Sequence, residues 1–392
     1  MGGKKTEESK IGYKRRTIGM SRSLSEVLAD ILTIEGALLE RTADGGLEFV
    51  SPPVLSKTLG IPEHGKFSFT YDAFDEIAIR ATYESEFFRS VDKLFSGRGK
   101  MAKAIHSSQL PHIEKISKWV SEKIALSNAT FRFQKVENRK IAYALIFFKY
   151  VALSDEKKEG IVSLLVNEQN LSTFAPHENL ATFLDELKEP EEILIRSKEI
   201  SKALQTGLSA ATLILKQEFE PFIKSLERRL NRDIKRVFEY YEILKIETQK
   251  TFEKKERGSS EEQNGEGKKI LAGKLDAIEG EKRNKIQDLV SKYALNVRIE
   301  PVSIIEIETE SLVFWVEIKR RLSSRAFPLA YNPLLKKVDS LPCENCFYPR
   351  GAYYICDEKL HILCAACFRK CPECRREYCS ACHPKGCPRC KN

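Results

Sequence analysis

Residues that can grip a metal ion crowd into the last stretch of this chain. All eleven cysteines lie between Cys343 and Cys390, and the 342 residues before them contain none. They form five C-x2-C pairs: Cys343/Cys346, Cys364/Cys367, Cys371/Cys374, Cys379/Cys382 and Cys387/Cys390. Cys356 and His361 lie between the first two and make a sixth pair, so twelve donors are available, enough for three tetrahedral Zn²⁺ ions. A C-x2-C turn sets two sulfurs about 3.5–4 Å apart, which is one edge of a tetrahedron with Zn–S bonds of about 2.3 Å. Two such edges close a site. A disulfide framework suits small secreted domains, whereas this chain is long, begins without an apolar leader and has an odd number of cysteines. Iron–sulfur ligation is the other alternative, and an imidazole among the thiols favours zinc.

Short links between successive pairs make it awkward for neighbours in sequence to wrap one ion, so interleaved closure is expected. Cys343/Cys346 then share a metal with Cys364/Cys367, and Cys356/His361 share one with Cys371/Cys374. His383, beside Cys382, is expected to be exposed, with the capacity to replace His361. The order of these ligands over about fifty residues resembles the RING and treble-clef families, with Cys371-Pro372-Glu373-Cys374 similar to a RING final knuckle. That resemblance implies a ubiquitin-ligase role in which Phe347, Ile355 and Pro372 line a groove for an E2 enzyme. The sequence departs from it in the spacing before His361, in the Cys367–Cys371 gap and in the two extra pairs after Cys374. Twelve ligands for three ions leave no open position, so the sites are expected to be structural and not catalytic.

Those ligands need a scaffold, and at 392 residues the chain is long enough for two or three domains with real cores. No apolar run approaches the length of a membrane span. A cytoplasmic location is expected (nuclear in a eukaryote), with no membrane partner. The net charge of +9 is unevenly placed. Met1–Arg22 carries seven Lys/Arg against two Glu and reads as a flexible basic arm. Leu341–Asn392 carries nine Lys/Arg and five Asp/Glu, and three Zn²⁺ with eleven thiolates bring its total to about −1 by charge counting. Nucleic-acid contact through the arm and through Arg375, Arg376, Lys385 and Arg389 is one expected partnership, and a protein partner is another.

The expected fold class is α+β. Residues 23–189 form a mixed domain: a helix start at Ser21–Glu26, a hairpin over Leu38–Val50 turning at Asp44-Gly45-Gly46, a strand at Phe67–Tyr71, and helices over Tyr83–Leu94 and Pro111–Lys123. Thr130–Val136, Lys140–Leu153 and Gly160–Glu168 read as an antiparallel meander turning at Glu137-Asn138-Arg139 and Ser154–Glu159. Residues 190–295 are helical, broken at Pro221. Phe222, Leu226, Leu230, Ile234, Val237, Tyr241 and Leu244, then Leu271, Leu275, Ile278, Ile286, Leu289 and Tyr293, predict a long antiparallel coiled-coil hairpin about a flexible tip at 258–267. Residues 296–340 read as a hairpin base turning near Thr309-Glu310, and 341–392 as the zinc-binding domain.

Recognisable catalytic machinery is missing. Gly97-Arg98-Gly99-Lys100-Met101 lacks the spacing and hydroxyl of a P-loop, and no GxGxxG, GxSxG or HExxH occurs. His64, His106, His112 and His177 are scattered, and Asp185/Glu186 and Glu261/Glu262 read as solvated charges. A non-enzymatic zinc-binding adaptor is expected, with a RING-type ligase and a nucleic-acid-binding zinc protein as alternatives. The layout (charged helical hairpin, a segment ending in Asn332-Pro333-Leu334-Leu335, cysteine-rich tail) also resembles that of uncharacterised prokaryotic proteins associated with SNF2-type helicases. This implies a partner that supplies ATP-driven movement.

Overall fold

A computed structural model describes residues 23–69, 78–96, 100–107, 110–113, 120, 124–176, 184, 186–190, 197–256, 261–348 and 352–390. The basic arm and most of the helix expected over Pro111–Lys123 lie outside them. The chain is mixed helix and sheet, and it divides into two compact units at Lys100/Met101.

In the first unit, helix α1 (Leu24–Ile34) starts on a capping box: Glu26 N–H donates to Ser23 Oγ at 3.3 Å and Ser23 N–H donates to Glu26 Oε2 at 2.9 Å. Strands β1 (Leu38–Arg41) and β2 (Leu47–Val50) form the expected hairpin, with Gly45 at φ +81° in its turn. Strands β3 (His64–Ser68) and β4 (Ile79–Arg80) complete a four-stranded sheet, and helices α2 (Pro53–Leu59) and α3 (Glu86–Ser96) belong to the same unit. Phe49 and Phe67 stack at its centre, with Phe67 against Phe87.

The second unit is built on two very long strands. Strand β6 (Thr130–Leu153) and strand β9 (Asn296–Arg320) run antiparallel along their whole length, 24 residues against 25. The chain reverses near Ser154–Glu159 as expected, but the turns expected at Glu137-Asn138-Arg139 and near Thr309-Glu310 do not exist. Glu137-Asn138-Arg139 pairs with Val313, Leu312 and Ser311, and Ile141 with Thr309, so the polar middles of the two strands lie side by side. They contain no glycine or proline to force a reversal, and the sheet holds their charges: Trp315 Nε1 donates to Glu137 Oε2 at 3.1 Å and Arg139 pairs with Glu137 at 2.6 Å. The meander is therefore one long strand followed by β7 (Lys157–Asn167), and the true hairpin of β9 turns after Arg320 into β10 (Ser323–Asn332). Strands β5 (Met101–His106), β8 (Thr173–Phe174) and β11 (Lys337–Val338) complete the sheet in the order β11-β10-β9-β6-β7-β8, with β5 parallel to the first half of β9.

Side-chain alternation lets one sheet face carry two cores. Ala144, Ile146 and Phe148 of β6 and Ile304 of β9 lie under helix α4 (Ser197–Glu218), whose Ile200, Ala203, Ala210, Ala211 and Leu215 cover them. A Cβ at Gly207 would sit 3.0 Å from Ile146 Cδ1, so glycine allows the helix this close. Further along β9, Leu312, Phe314, Val316 and Ile318 form the floor of the cysteine-rich tail, joined by Phe131 and Val136 of β6. Those two residues differ in parity because a bulge at Phe133/Lys135 inserts one residue between them.

Helix α5 (Glu220–Glu256) follows with Pro221 in its first turn, where a missing N–H costs least. Helix α6 (Glu261–Tyr293) begins inside the segment expected to be a flexible tip, of which residues 258–260 lie outside the described set. Tyr293 Oη donates to Asp233 at 2.7 Å and Lys282 Nζ to Glu242 at 3.0 Å, so the two helices run antiparallel. Lys282 is buried four residues after Ile278 and four before Ile286, at a position that the apolar pattern skips.

On the opposite sheet face, Asp339 is buried where the chain turns toward the cysteines. Its Oδ2 accepts from Tyr143 Oη at 3.0 Å and Asn167 Nδ2 at 2.9 Å, and its Oδ1 accepts from Asn332 Nδ2 at 3.1 Å. Burial pushes the carboxyl above its ordinary range, and hydrogen bonds from Asn167, Asn332 and Tyr143 oppose that rise. Asp339→Asn must turn an amide N–H₂ toward at least one of these donors. We expect a loss of about 1–3 kcal/mol in chemical denaturation; a loss below about 0.5 kcal/mol, typical of a neutral surface change, would mean the network does not hold this corner.

Candidate metal centres

The tail folds as two small hairpins. Strands β12 (Tyr353–Ile355) and β13 (Ile362–Cys364) form the first, with Cys356 and His361 at its tip and Cys364 at its base. Strands β14 (Phe368–Lys370) and β15 (Glu377–Cys379) form the second, with Cys371 and Cys374 at its tip and Cys379 back at its base. The sequence permits this because each pair of short strands is separated by a turn carrying two of the donors.

All twelve expected donors converge, four to a group. The groups are Cys343/Cys346/Cys364/Cys367, Cys356/His361/Cys379/Cys382 and Cys371/Cys374/Cys387/Cys390, each with its donor atoms within 4.8 Å of one another. Sulfur–sulfur distances of 3.8 Å (Cys346–Cys364), 3.9 Å (Cys356–Cys382), 3.8 Å (Cys371–Cys390) and 3.7 Å (Cys374–Cys387) sit at the edge of a tetrahedron. For Zn–S bonds of about 2.3 Å that edge is about 3.8 Å. His361 Nδ1 lies 3.6 Å from Cys379 Sγ and 3.3 Å from Cys382 Sγ, the shorter edge that a nitrogen donor gives. The donor set fits zinc, and each group could hold one ion.

The first group is paired as expected, and the second is not. Cys356/His361 meet Cys379/Cys382 where the RING-like order pairs them with Cys371/Cys374. The three-residue strand β14 carries Cys371 about 10 Å from the base of its hairpin, out of reach of the first hairpin's tip. Cys379 returns along β15 and takes that place, leaving the far tip to Cys387/Cys390. His383 is half-buried, with Nε2 2.6 Å from Glu358 Oε1, and stays out of the group that contains His361.

Backbone geometry shapes the knuckles. Phe347 N–H donates to Cys343 O at 2.8 Å and Arg375 N–H to Cys371 O at 2.9 Å, and both residues take a left-handed conformation, φ +56° and +57°. That conformation is costly for side chains other than glycine, so the turn must be held from outside. N–H groups also point at sulfur: Cys364 N–H at Cys343 Sγ and Cys382 N–H at Cys379 Sγ, both at 3.3 Å, with Asn345 Nδ2 3.3 Å from Cys367 Sγ. Such donors favour thiolates. Cys387 is lowered to about 7, first by the Arg389 backbone N–H. In the first group a hydrogen bond from Cys346 pulls Cys343 down, and Cys346, on the other side of that same bond, is pushed up.

The residues that seat the tail on the sheet carry no motif and were not legible in the sequence. Asn128 acts as a surrogate strand, donating to Ile355 O at 3.1 Å and accepting from Ile355 N–H at 2.8 Å. Arg325 grips Glu344 at 2.7 and 2.9 Å, and Glu344 also accepts from Ile362 N–H at 2.7 Å. Arg320 and Arg321 reach Asp357 at 2.9 and 3.1 Å. Thr173 donates to Phe347 O, and Tyr348 donates to Gln217 at 2.5 Å. Of the expected E2 groove, Phe347 is partly buried and Ile355 is fully buried against the sheet, so Ile355 cannot form part of it.

No helix among the described residues is long and apolar enough to cross a membrane. His106 is buried with Nε2 3.5 Å from Glu186, away from any group of metal donors. No family model, curated protein or solved structure matches the chain, and the resemblance in layout to helicase-associated proteins gains no support from these comparisons.

The grouping makes a distinctive prediction for zinc content. Cys356→Ser/Cys379→Ser is expected to lose one zinc per chain by elemental analysis, as both changes fall in one group, whereas Cys356→Ser/Cys371→Ser should lose two. The reverse pattern would restore the RING-like pairing.

Proposed function

We propose that the cysteine-rich tail is a structural three-zinc module and that the protein is a non-enzymatic adaptor or regulatory protein presenting this module to a partner. The observation that carries the reading is the grouping of twelve donors into three complete tetrads. Four protein ligands per ion leave no position for water or substrate, so zinc here folds the chain and does not turn over a reaction. Its free energy of binding becomes free energy of folding for the knuckles and short hairpins that carry the donors. The side chains that bind the module to the sheet then fix its orientation. In this reading residues 190–295 form a coiled-coil arm, 296–340 the base and 341–392 the platform, docking together on a protein or nucleic-acid machine. A SNF2-type helicase or a transcription complex is the kind of machine that the layout suggests. A ligase role is disfavoured by the burial of Ile355 and by the changed pairing, since both alter the surface an E2 would meet.

Affinity purification from the native host, with and without nuclease, tests the adaptor role. A partner retained by the native protein and released when zinc is chelated is expected. Ubiquitin-chain formation with an E2 panel, abolished in Cys343→Ser, would replace this reading with the ligase one.

A further inference from the structure

The module's total charge of about −1 conceals a separation along its length. The first two metal groups are flanked by the acids Glu344, Asp357 and Glu358, and these are engaged by Arg325, by Arg320 and Arg321, and by His383. The third group differs. Arg369, Lys370, Arg375, Arg376, Lys385 and Arg389 each lie within two residues of one of its four ligands, with Glu373 as the one acid at that spacing. All six are exposed, and among the described residues none makes an ion pair or a side-chain hydrogen bond.

Charge counting places the asymmetry. Residues 341–367 hold two cations and three acids, and the first two groups, with seven thiolates and two Zn²⁺, bring that end to about −4. Residues 368–390 hold six cations and two acids, and four thiolates with one Zn²⁺ leave that end at about +2. The acidic end meets Arg320, Arg321 and Arg325 of the sheet, and the cations of the basic end are exposed. Neutralising the third Zn–thiolate centre needs about two of the six cations. The remainder have no ion-pair or side-chain hydrogen-bond partner among the described residues.

We infer that the distal knuckles around the third metal group bind the phosphodiester backbone of duplex DNA. Exposed Arg and Lys on a small, rigid tip recognise phosphates by charge and by N–H donation, with the backbone and not the bases as the target. A single strand would call for free aromatic faces on which its bases stack. The aromatics here are committed elsewhere: Tyr354 and Phe368 stack on each other at 5.2 Å, and Tyr378 is half-buried. This inference rests on the three-zinc reading of the tail.

Fluorescence anisotropy with a 25-base-pair duplex of arbitrary sequence tests it, alongside elemental analysis of the same samples. For about four phosphates neutralised, log K should fall with log salt at a slope near −3.6, roughly 10²-fold between 50 and 200 mM salt. In Arg375→Glu/Arg376→Glu/Arg389→Glu the full-length protein should keep three zinc ions, bind at least tenfold more weakly at 50 mM salt and lose about 2.7 of that slope. Three zinc ions with a flat salt dependence, with unchanged binding by the variant, or with preference for single-stranded DNA or double-stranded RNA, would overturn the DNA inference alone. A native protein with fewer than three zinc ions would overturn both it and the reading beneath it.

Discussion

Eleven sulfurs and one imidazole nitrogen, held in fours at tetrahedral-edge distances, set the terms for the C-terminal part of this molecule. Thiolates that close repel one another, and thiols that close are weak donors, so the arrangement is favourable only around a cation. The segments between the cysteines add Tyr353, Ile355, Ile362 and Leu363 to the core against the sheet, but little regular structure. Their strands are three residues long, and Phe347 and Arg375 accept a backbone conformation that side chains normally avoid. The first two groups interleave with each other, as do the second and third, so each hairpin joins two sites and the three fold as a linked series.

What such a module cannot supply is orientation, and the sheet provides it. Strand β9 reaches from the helical side of the second unit to the tail, with Ile304 in one core and Leu312 to Ile318 in the other. Because the strand is continuous, the module and helix α4 stand on the same rigid floor. Asn128, Arg325 and Asp339 add polar contacts at three points where the chain passes from sheet to module or borders it. An adaptor needs this: a platform that swung freely would lose the orientational part of its binding free energy to entropy.

Much of this was legible in residue types and spacing, and the exceptions have physical causes. The twelve donors could be read because C-x2-C geometry is local. The pairing of the second and third groups could not, since it depends on how far a three-residue strand carries Cys371. The long strands were divided at Glu137–Arg139 and Thr309–Glu310 because clustered polar residues imitate a turn. Two such clusters instead lie opposite each other, paired along one continuous ladder. In the helical region the burial of Lys282 was not legible, because a buried lysine is recognised only with Glu242 and Glu279 in place around it. Seating residues such as Asn128 are distant in sequence from what they touch, and nothing near them announces the contact.

X-ray absorption at the zinc edge of the purified, reduced protein addresses the central claim most directly. Three closed sites predict an average shell of eleven sulfurs and one nitrogen over three ions, with Zn–S near 2.3 Å. A spectrum requiring an oxygen ligand at each zinc, or protein that binds no zinc while keeping its fold, would contradict it.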